Sequence, residues 1–428
     1  MKRIVFCCLL IMALASAQPA SAKPRTALDP VAVWNGLALE TIRLTRASDA
    51  DAARSYAMVN AAIYDAVNPL SGKRRAHLLK APDGAPRHGD QQAAAVTAAH
   101  AVLTRLYPDR RDRFDEQLAA DLAKLGTGPR VSSGRAWGQS VGTYIFNIRA
   151  SDGSRPVETQ PAGSGPGIFT QSWSGAQYRN MVPFGILDAA RYVALGPPPL
   201  TSLDYAAAYS EIKLVGDARI PDAGKSALYQ YWSLPSGSAQ PPGEWLKIAL
   251  EVSTPLRLAE KARLFALLGT ALSDVSIPTV RTKYVHRHWR PETAIQQDDG
   301  NPYTERDPDW RARAGSPGST PEYVSGHSSF SAAAATVLAG FFCADRMRFT
   351  HVTDSAPADP ATGRPMERTF AGFSEAAADA GRSRVVGGTH FEFSNQAGLT
   401  MGRTVAAEIL SRKLLRTTGP THHGHCPL

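Results

Sequence analysis

Between Ala332 and Phe342 the chain reads Ala-Ala-Ala-Ala-Thr-Val-Leu-Ala-Gly-Phe-Phe, about three turns of helix without one charge. A helix that is apolar all round belongs in an interior. The stretch before it, Thr320-Pro-Glu-Tyr-Val-Ser-Gly-His-Ser-Ser-Phe-Ser331, supplies a proline, turn residues and then Ser-Gly-His. That is how a loop delivers a polar group to the start of a buried helix. The first N–H groups there have no intrahelical partner, and the helix dipole adds partial positive charge. An oxyanion held by Ser325 and the Gly326 N–H is a natural occupant, and His327 is placed to exchange protons with it. Taken alone, the same residues are also explained by a Ser N-cap beside an incidental histidine. The choice depends on what the rest of the chain brings to this loop.

Elsewhere helical periodicity is common and strand-like alternation scarce. Asp29-Pro30 opens a helix to about Arg46, Asp51 to Val67 carries another, and residues 90–107, 110–125 and 132–149 continue the pattern. Shorter helices are expected at 202–215, 222–233 and 243–253. A strong one starts at Thr254-Pro255 and is expected to be interrupted at Pro278. Ser151 to Pro199 is rich in Gly, Pro and Ser with no period; so long a loop within a compact domain is a lid, a site wall or a subunit contact. The class is all-α, a helical bundle read as a single domain over residues 23–428.

Met1-Lys-Arg, the apolar run Ile4 to Ala15 and the small residues up to Ala22 have the form of a secretory signal, too short to span a membrane. Residues 1–22 are therefore read as removed, leaving a secreted or periplasmic chain that starts at Lys23. Cys7 and Cys8 leave with the signal. Cys343 and Cys426 remain, either as one bridge or as a buried thiol beside a loose tail. The tail 416–428, with His422, His423 and His425, is read as flexible, a soft-metal site being the alternative. Net charge is +9 with the basic residues scattered, which argues against a nucleic-acid partner and suits the steering of small anions. No segment after the signal has eighteen uninterrupted apolar residues, so no membrane span is expected.

Two further stretches complete the chemistry. In Lys283-Tyr-Val-His-Arg-His-Trp-Arg290-Pro291 the two cations are seven residues apart, close to two helical turns, so both emerge from one face. Such a pair fits a polyanion, with Arg as a fork and Lys as a point charge. In Ser383-Arg-Val-Val-Gly-Gly-Thr-His390, Gly387 and Gly388 allow a close backbone approach, flanked by Arg384 and His390. A neutral imidazole there is either a metal ligand, a nucleophile or a structural residue.

In this order the three pieces resemble the superfamily of vanadium-dependent haloperoxidases and type-2 phosphatidic acid phosphatases, whose pattern is Lys-x6-Arg-Pro, Pro-Ser-Gly-His and Ser-Arg-x5-His-x3-Asp. The surroundings are similar to the soluble bacterial haloperoxidases, over about Leu28 to Leu415. The resemblance implies an all-helical enzyme that binds vanadate, vanadium(V), and uses hydrogen peroxide to oxidise chloride or bromide to a hypohalous species. A small organic halogen acceptor and a homo-oligomer are compatible with it. It implies that Lys283, Arg290, Ser325, Gly326 and Arg384 hold the vanadate oxygens and that His390 is the metal ligand. His327 would be the acid–base residue, with Lys283 polarising the bound oxidant. The alternative is a soluble acid phosphatase with His390 as nucleophile. A non-catalytic anion-binding protein is the third reading, although it has no use for two histidines beside the anion.

The chain departs from the pattern twice. Val324 replaces the proline before Ser325, and Ser394 stands where the pattern has Asp. The second change weighs against the phosphatase, which needs a carboxylate on its nucleophilic histidine. A metal ligand asks only that a carbonyl or similar group hold its other nitrogen. Glu392 is a possible substitute. His286 and His288 either line the halide pocket or pack in the core. Thr320, Val280 and His288 are the positions expected on the halide side.

Overall fold

The computed structural model describes residues 28–71, 74–79, 84–355 and 362–417. The expected signal 1–22, Cys426 and the tail from 418 onward lie outside the described residues. Cys343 is disulfide-bonded.

The first half is built of α1 (Pro30–Thr45), α2 (Asp49–Ser71), α3 (Gln91–Leu106), α4 (Arg111–Leu125) and α5 (Pro129–Arg149). Asp29 caps α1 by accepting the Ala32 N–H at 3.0 Å, with Pro30 in the first turn where its missing N–H costs nothing. The second half carries α6 (Leu203–Val215), α7 (Ala223–Tyr231), α8 (Gln240–Val252), α9 (Leu258–His286), α10 (Pro291–Gln296), α11 (Gly326–Phe342), α12 (Phe373–Val386) and α13 (Glu392–Arg412). Two short antiparallel pairs join them: β1 (Thr159–Gln160) with β2 (Trp173–Ser174), and β3 (Phe349–Val352) with β4 (Glu367–Phe370). The fold is all-α, with strands confined to these excursions among the described residues.

The expected break at Pro278 does not occur, because α9 runs straight through it. Proline in a helix interior costs roughly 3 kcal/mol. Here the Ser276 and Thr279 hydroxyls donate to the carbonyls of Ser273 (2.6 Å) and Val275 (2.8 Å) beside the missing bond. Val275 and Ile277 are buried, and α9 packs against α2, α11 and α13. Tertiary packing on three sides offsets a local defect.

The apolar helix α11 sits among α8, α9, α12 and α13, as its composition requires. Its approach to α13 is unusually close. A side chain at Gly398 would meet Ser325 O at 2.6 Å, and one at Gly402 would meet Ser329 O at 2.3 Å. Glycine at both positions lets the backbones touch, which fixes the start of α11 against the start of α13.

The Gly/Pro/Ser-rich passage is pinned rather than loose. The buried Asp274 carboxylate of α9 accepts the N–H groups of Phe184 (2.6 Å), Gly185 (2.6 Å) and Ile186 (2.8 Å). Earlier in the same passage, Trp173, Ser174, Gly175 and Tyr178 form one side of the main cleft. The passage is a site wall. No helix among the described residues is long and apolar enough to cross a membrane.

Candidate functional site

A cleft of about 460 Å³ opens where α2, α9, α11, α12 and the 173–178 wall converge. Lys283, Arg290, Gly326, His327, Arg384 and His390 all line it, joined by Thr320, Thr389, Tyr229, Asp49 and Val280. Residues spread over more than a hundred positions of sequence thus meet in one place. Ser325 is the exception. It is fully buried and caps α11, its hydroxyl accepting the Ser328 N–H at 3.4 Å and the Ser328 hydroxyl at 2.9 Å, and it does not line the cleft. The first N–H groups of α11, at Gly326 and His327, have no acceptor within the helix.

The cations are held by backbone carbonyls. Lys283, in the last turn of α9, donates to Pro321 O and to Glu322 O, the latter at 3.2 Å. Arg290, just before α10, donates from Nε to Thr320 O (2.8 Å) and from Nη1 to Thr389 O (2.8 Å). Arg384, in the last turn of α12, lies over the Tyr229 ring at 5.0 Å, and its buried Nε has no protein partner among the described residues. All three are nearly fully buried. Burial, followed by the neighbouring Arg290 guanidinium, pulls Lys283 well below its ordinary value. Burial likewise lowers Arg290 to about 10 and lowers Arg384. Crowding cations away from water disfavours their charge, and an anion placed among them would restore it.

Burial holds both site histidines toward the neutral form. Burial pushes His327 well below the usual imidazole range, with Arg384 the largest neighbouring charge, and its buried Nε2 has no partner among the described residues. Burial pushes His390 down as well, helped by Arg290 and Lys283. His390 Nε2 is 3.0 Å from Arg290 Nη1, and Nδ1 is 2.9 Å from Glu322 Oε1. Burial raises Glu322 to about 7, against the pull of Arg290 and Lys283. Burial also raises Asp49, at the start of α2.

Residues 263–416 match a family model described as the VCPO second helical-bundle domain, and the match contains every residue of the three-part pattern. No curated protein matches the chain. Among solved structures, the first bacterial vanadium-dependent iodoperoxidase is similar at TM-score 0.77 and 22% identity, over 93% of this chain and 100% of that one. The fold is that of the vanadium haloperoxidases. A bacterial vanadium-dependent chloroperoxidase superposes at TM-score 0.62 in both apo and holo forms. The identities are 18% and 19%, covering 83% and 86% of this chain and 92% and 96% of those.

Within this haloperoxidase fold three sequence expectations are resolved by placement. His288 is buried against Phe391, Phe393 and Tyr205, and burial pushes it down to about 3. It packs in the core, away from the cleft lined by Thr320 and Val280. His286 is half-buried and bonds Ala194 O at 3.0 Å, also off the cleft. Glu392 faces Arg382, Asn395 and Gln396 rather than His390. Glu322 is the carboxylate that reaches His390, and sequence reasoning missed it. Its signal was present: one acid inside an apolar and hydroxylic loop, beside three cations that need a counter-charge.

Proposed function

We propose that the chain is a secreted vanadium-dependent haloperoxidase that uses hydrogen peroxide to oxidise halide. The observation that carries this reading is the convergence in one cleft of three buried cations, two of them held by carbonyls, on two histidines that burial keeps toward the neutral form. The residues fit vanadate: Arg384 Nε and His327 Nε2 are buried polar atoms still without partners among the described residues. Lys283, Arg290 and Arg384 would hold the oxyanion by charge, and the first N–H groups of α11 would add hydrogen bonds. Neutral His390 offers Nε2 as the ligand atom, which coordination requires. Bound vanadium(V) supplies Lewis acidity that activates peroxide. His327 takes up the peroxide proton, since a neutral imidazole held below its ordinary pKa has a vacant nitrogen at neutral pH. Asp49 and the 173–178 wall bound the space left for halide.

The acid phosphatase reading keeps one supporting observation, the Glu322 carboxylate on His390, which supplies what Ser394 lacks. One experiment separates the two. Metal-free protein is assayed for peroxide-dependent oxidation of chloride, bromide and iodide, with and without vanadate, and for hydrolysis of an aryl phosphate. Vanadate should switch on halide oxidation and suppress any phosphate hydrolysis. Hydrolysis at ordinary enzyme turnover, about ten per second, with no vanadate-dependent oxidation would make the chain a phosphatase.

A further inference from the structure

We propose that Glu322 is the positioning residue of His390, acting from the loop before α11 in place of the acidic residue expected four positions after the histidine. The position itself holds Ser394, whose hydroxyl is 3.4 Å from His390 Nδ1 and 3.4 Å from Glu322 O, too far to orient the ring firmly. Glu322 Oε1 lies 2.9 Å from the same Nδ1 and also accepts the Phe391 N–H at 3.0 Å, so the carboxylate is itself fixed.

The contacts on the two sides of the ring agree on one tautomer. Arg290 Nη1, 3.0 Å from Nε2, belongs to a side chain that has donors and no acceptor. Nε2 must therefore present its lone pair, and the single proton of the neutral ring sits on Nδ1, where it donates to Glu322. The other tautomer would set N–H against N–H at Arg290 and a lone pair against a carboxylate at Glu322. The loop is anchored in turn, because Lys283 Nζ donates to the carbonyls of Pro321 and Glu322. One short segment thus places the lysine and, together with Arg290, selects the reactive nitrogen of the histidine. A carboxylate on the far nitrogen also makes Nε2 a better electron-pair donor. The inference rests on the reading of His390 as the group that engages the anion.

Glu322→Gln keeps the volume and removes the charge, and its fold is checked by circular dichroism. In metal-free wild-type protein carrying ¹⁵N-histidine, the His390 ring, assigned by its loss in His390→Gln, should be protonated at Nδ1 and bare at Nε2. Glu322→Gln should shift that pattern toward the other tautomer and weaken vanadate binding about ten- to hundredfold, the range for losing an outer-shell partner. Glu322→Asp should recover part of the affinity. An unchanged ring pattern with vanadate affinity within about twofold would reduce Glu322 to packing. Should Glu322→Gln not fold, the wild-type spectrum decides, and a proton on Nε2 overturns the proposal. A wild-type protein that binds no vanadate would sink the haloperoxidase reading, while the ring pattern would still test Glu322.

Discussion

Gly402 places the backbone of α13 directly on α11. A methyl group there would lie 2.3 Å from Ser329 O and 2.7 Å from Ala333 N, where ordinary contact begins at 3.4 Å. The shortfall, 3.4 minus 2.3, is about 1.1 Å, and neither obstacle is a side chain that can turn aside. Gly402→Ala must then drive the two helices apart by up to that distance, since close-packed interiors have no slack. Overpacking of this kind costs about 1–3 kcal/mol. The functional cost is larger in proportion. His327 rides on the first turn of α11 and His390 directly precedes α13, so the displacement separates the two histidines. A misplacement of roughly 1 Å in a catalytic site is worth about a hundredfold in rate. Gly36 is the control, being exposed in α1 with nothing within 4 Å of an added methyl. Gly36→Ala should gain roughly 0.5–1 kcal/mol from helix propensity. Thermal melting, vanadate titration and peroxide-dependent halide oxidation read out all three proteins. If Gly402→Ala melts within about a degree of wild type and keeps its vanadate affinity within about twofold, the packing reasoning is refuted.

Three further substitutions test the site and the scaffold. His390→Ala should abolish halide oxidation and greatly weaken vanadate binding, whereas His327→Ala should lose most turnover and keep much of the affinity; equal loss of binding in both would contradict the assigned roles. His351, fully buried between Glu244 Oε1 at 2.9 Å and Glu251 Oε1 at 2.7 Å, should matter to stability. Burial opposes its charge, but the hydrogen bonds to both carboxylates outweigh that and raise its pKa. Its contribution is thus complete below the unfolded value of about 6.5 and fades as pH rises through the folded value. His351→Gln should cost about 3 kcal/mol in urea unfolding near pH 6, because buried Glu244 loses a partner, and the deficit should shrink toward about pH 9. A gap that stays constant with pH would rule out a charged His351.

The parts of the site visible in the sequence are those that follow helical arithmetic or a local turn. Lys283 and Arg290 share a face because seven residues make two turns, and Ser325 announces the start of α11 because an N-cap needs a side-chain acceptor. What was not visible depends on contacts between distant segments. Glu322 reaches His390 across 68 positions, and its local signal, a lone acid in an apolar loop, does not say which histidine it meets. Pro278 reads as a break only while α2, α11 and α13 are ignored. β3 and β4 were missed because each has four residues, too few for alternation to register. His288 illustrates the converse: its place in a basic motif suggested the site, yet the aromatic ring of neighbours around it, set by α6 and the start of α13, makes it core.

The carbonyls that hold Lys283 and Arg290 have a thermodynamic consequence for anion binding. Carbonyl dipoles fix a cation's position without neutralising its neighbours, so burial and the adjacent cations weigh against charge at Lys283 and Arg290, and burial weighs against it at Arg384. An oxyanion placed among them would offset that penalty beyond what Glu322 supplies. Affinity for an oxyanion would then come partly from release of that penalty. The pocket is prestressed, and an anion bound there would act as its keystone.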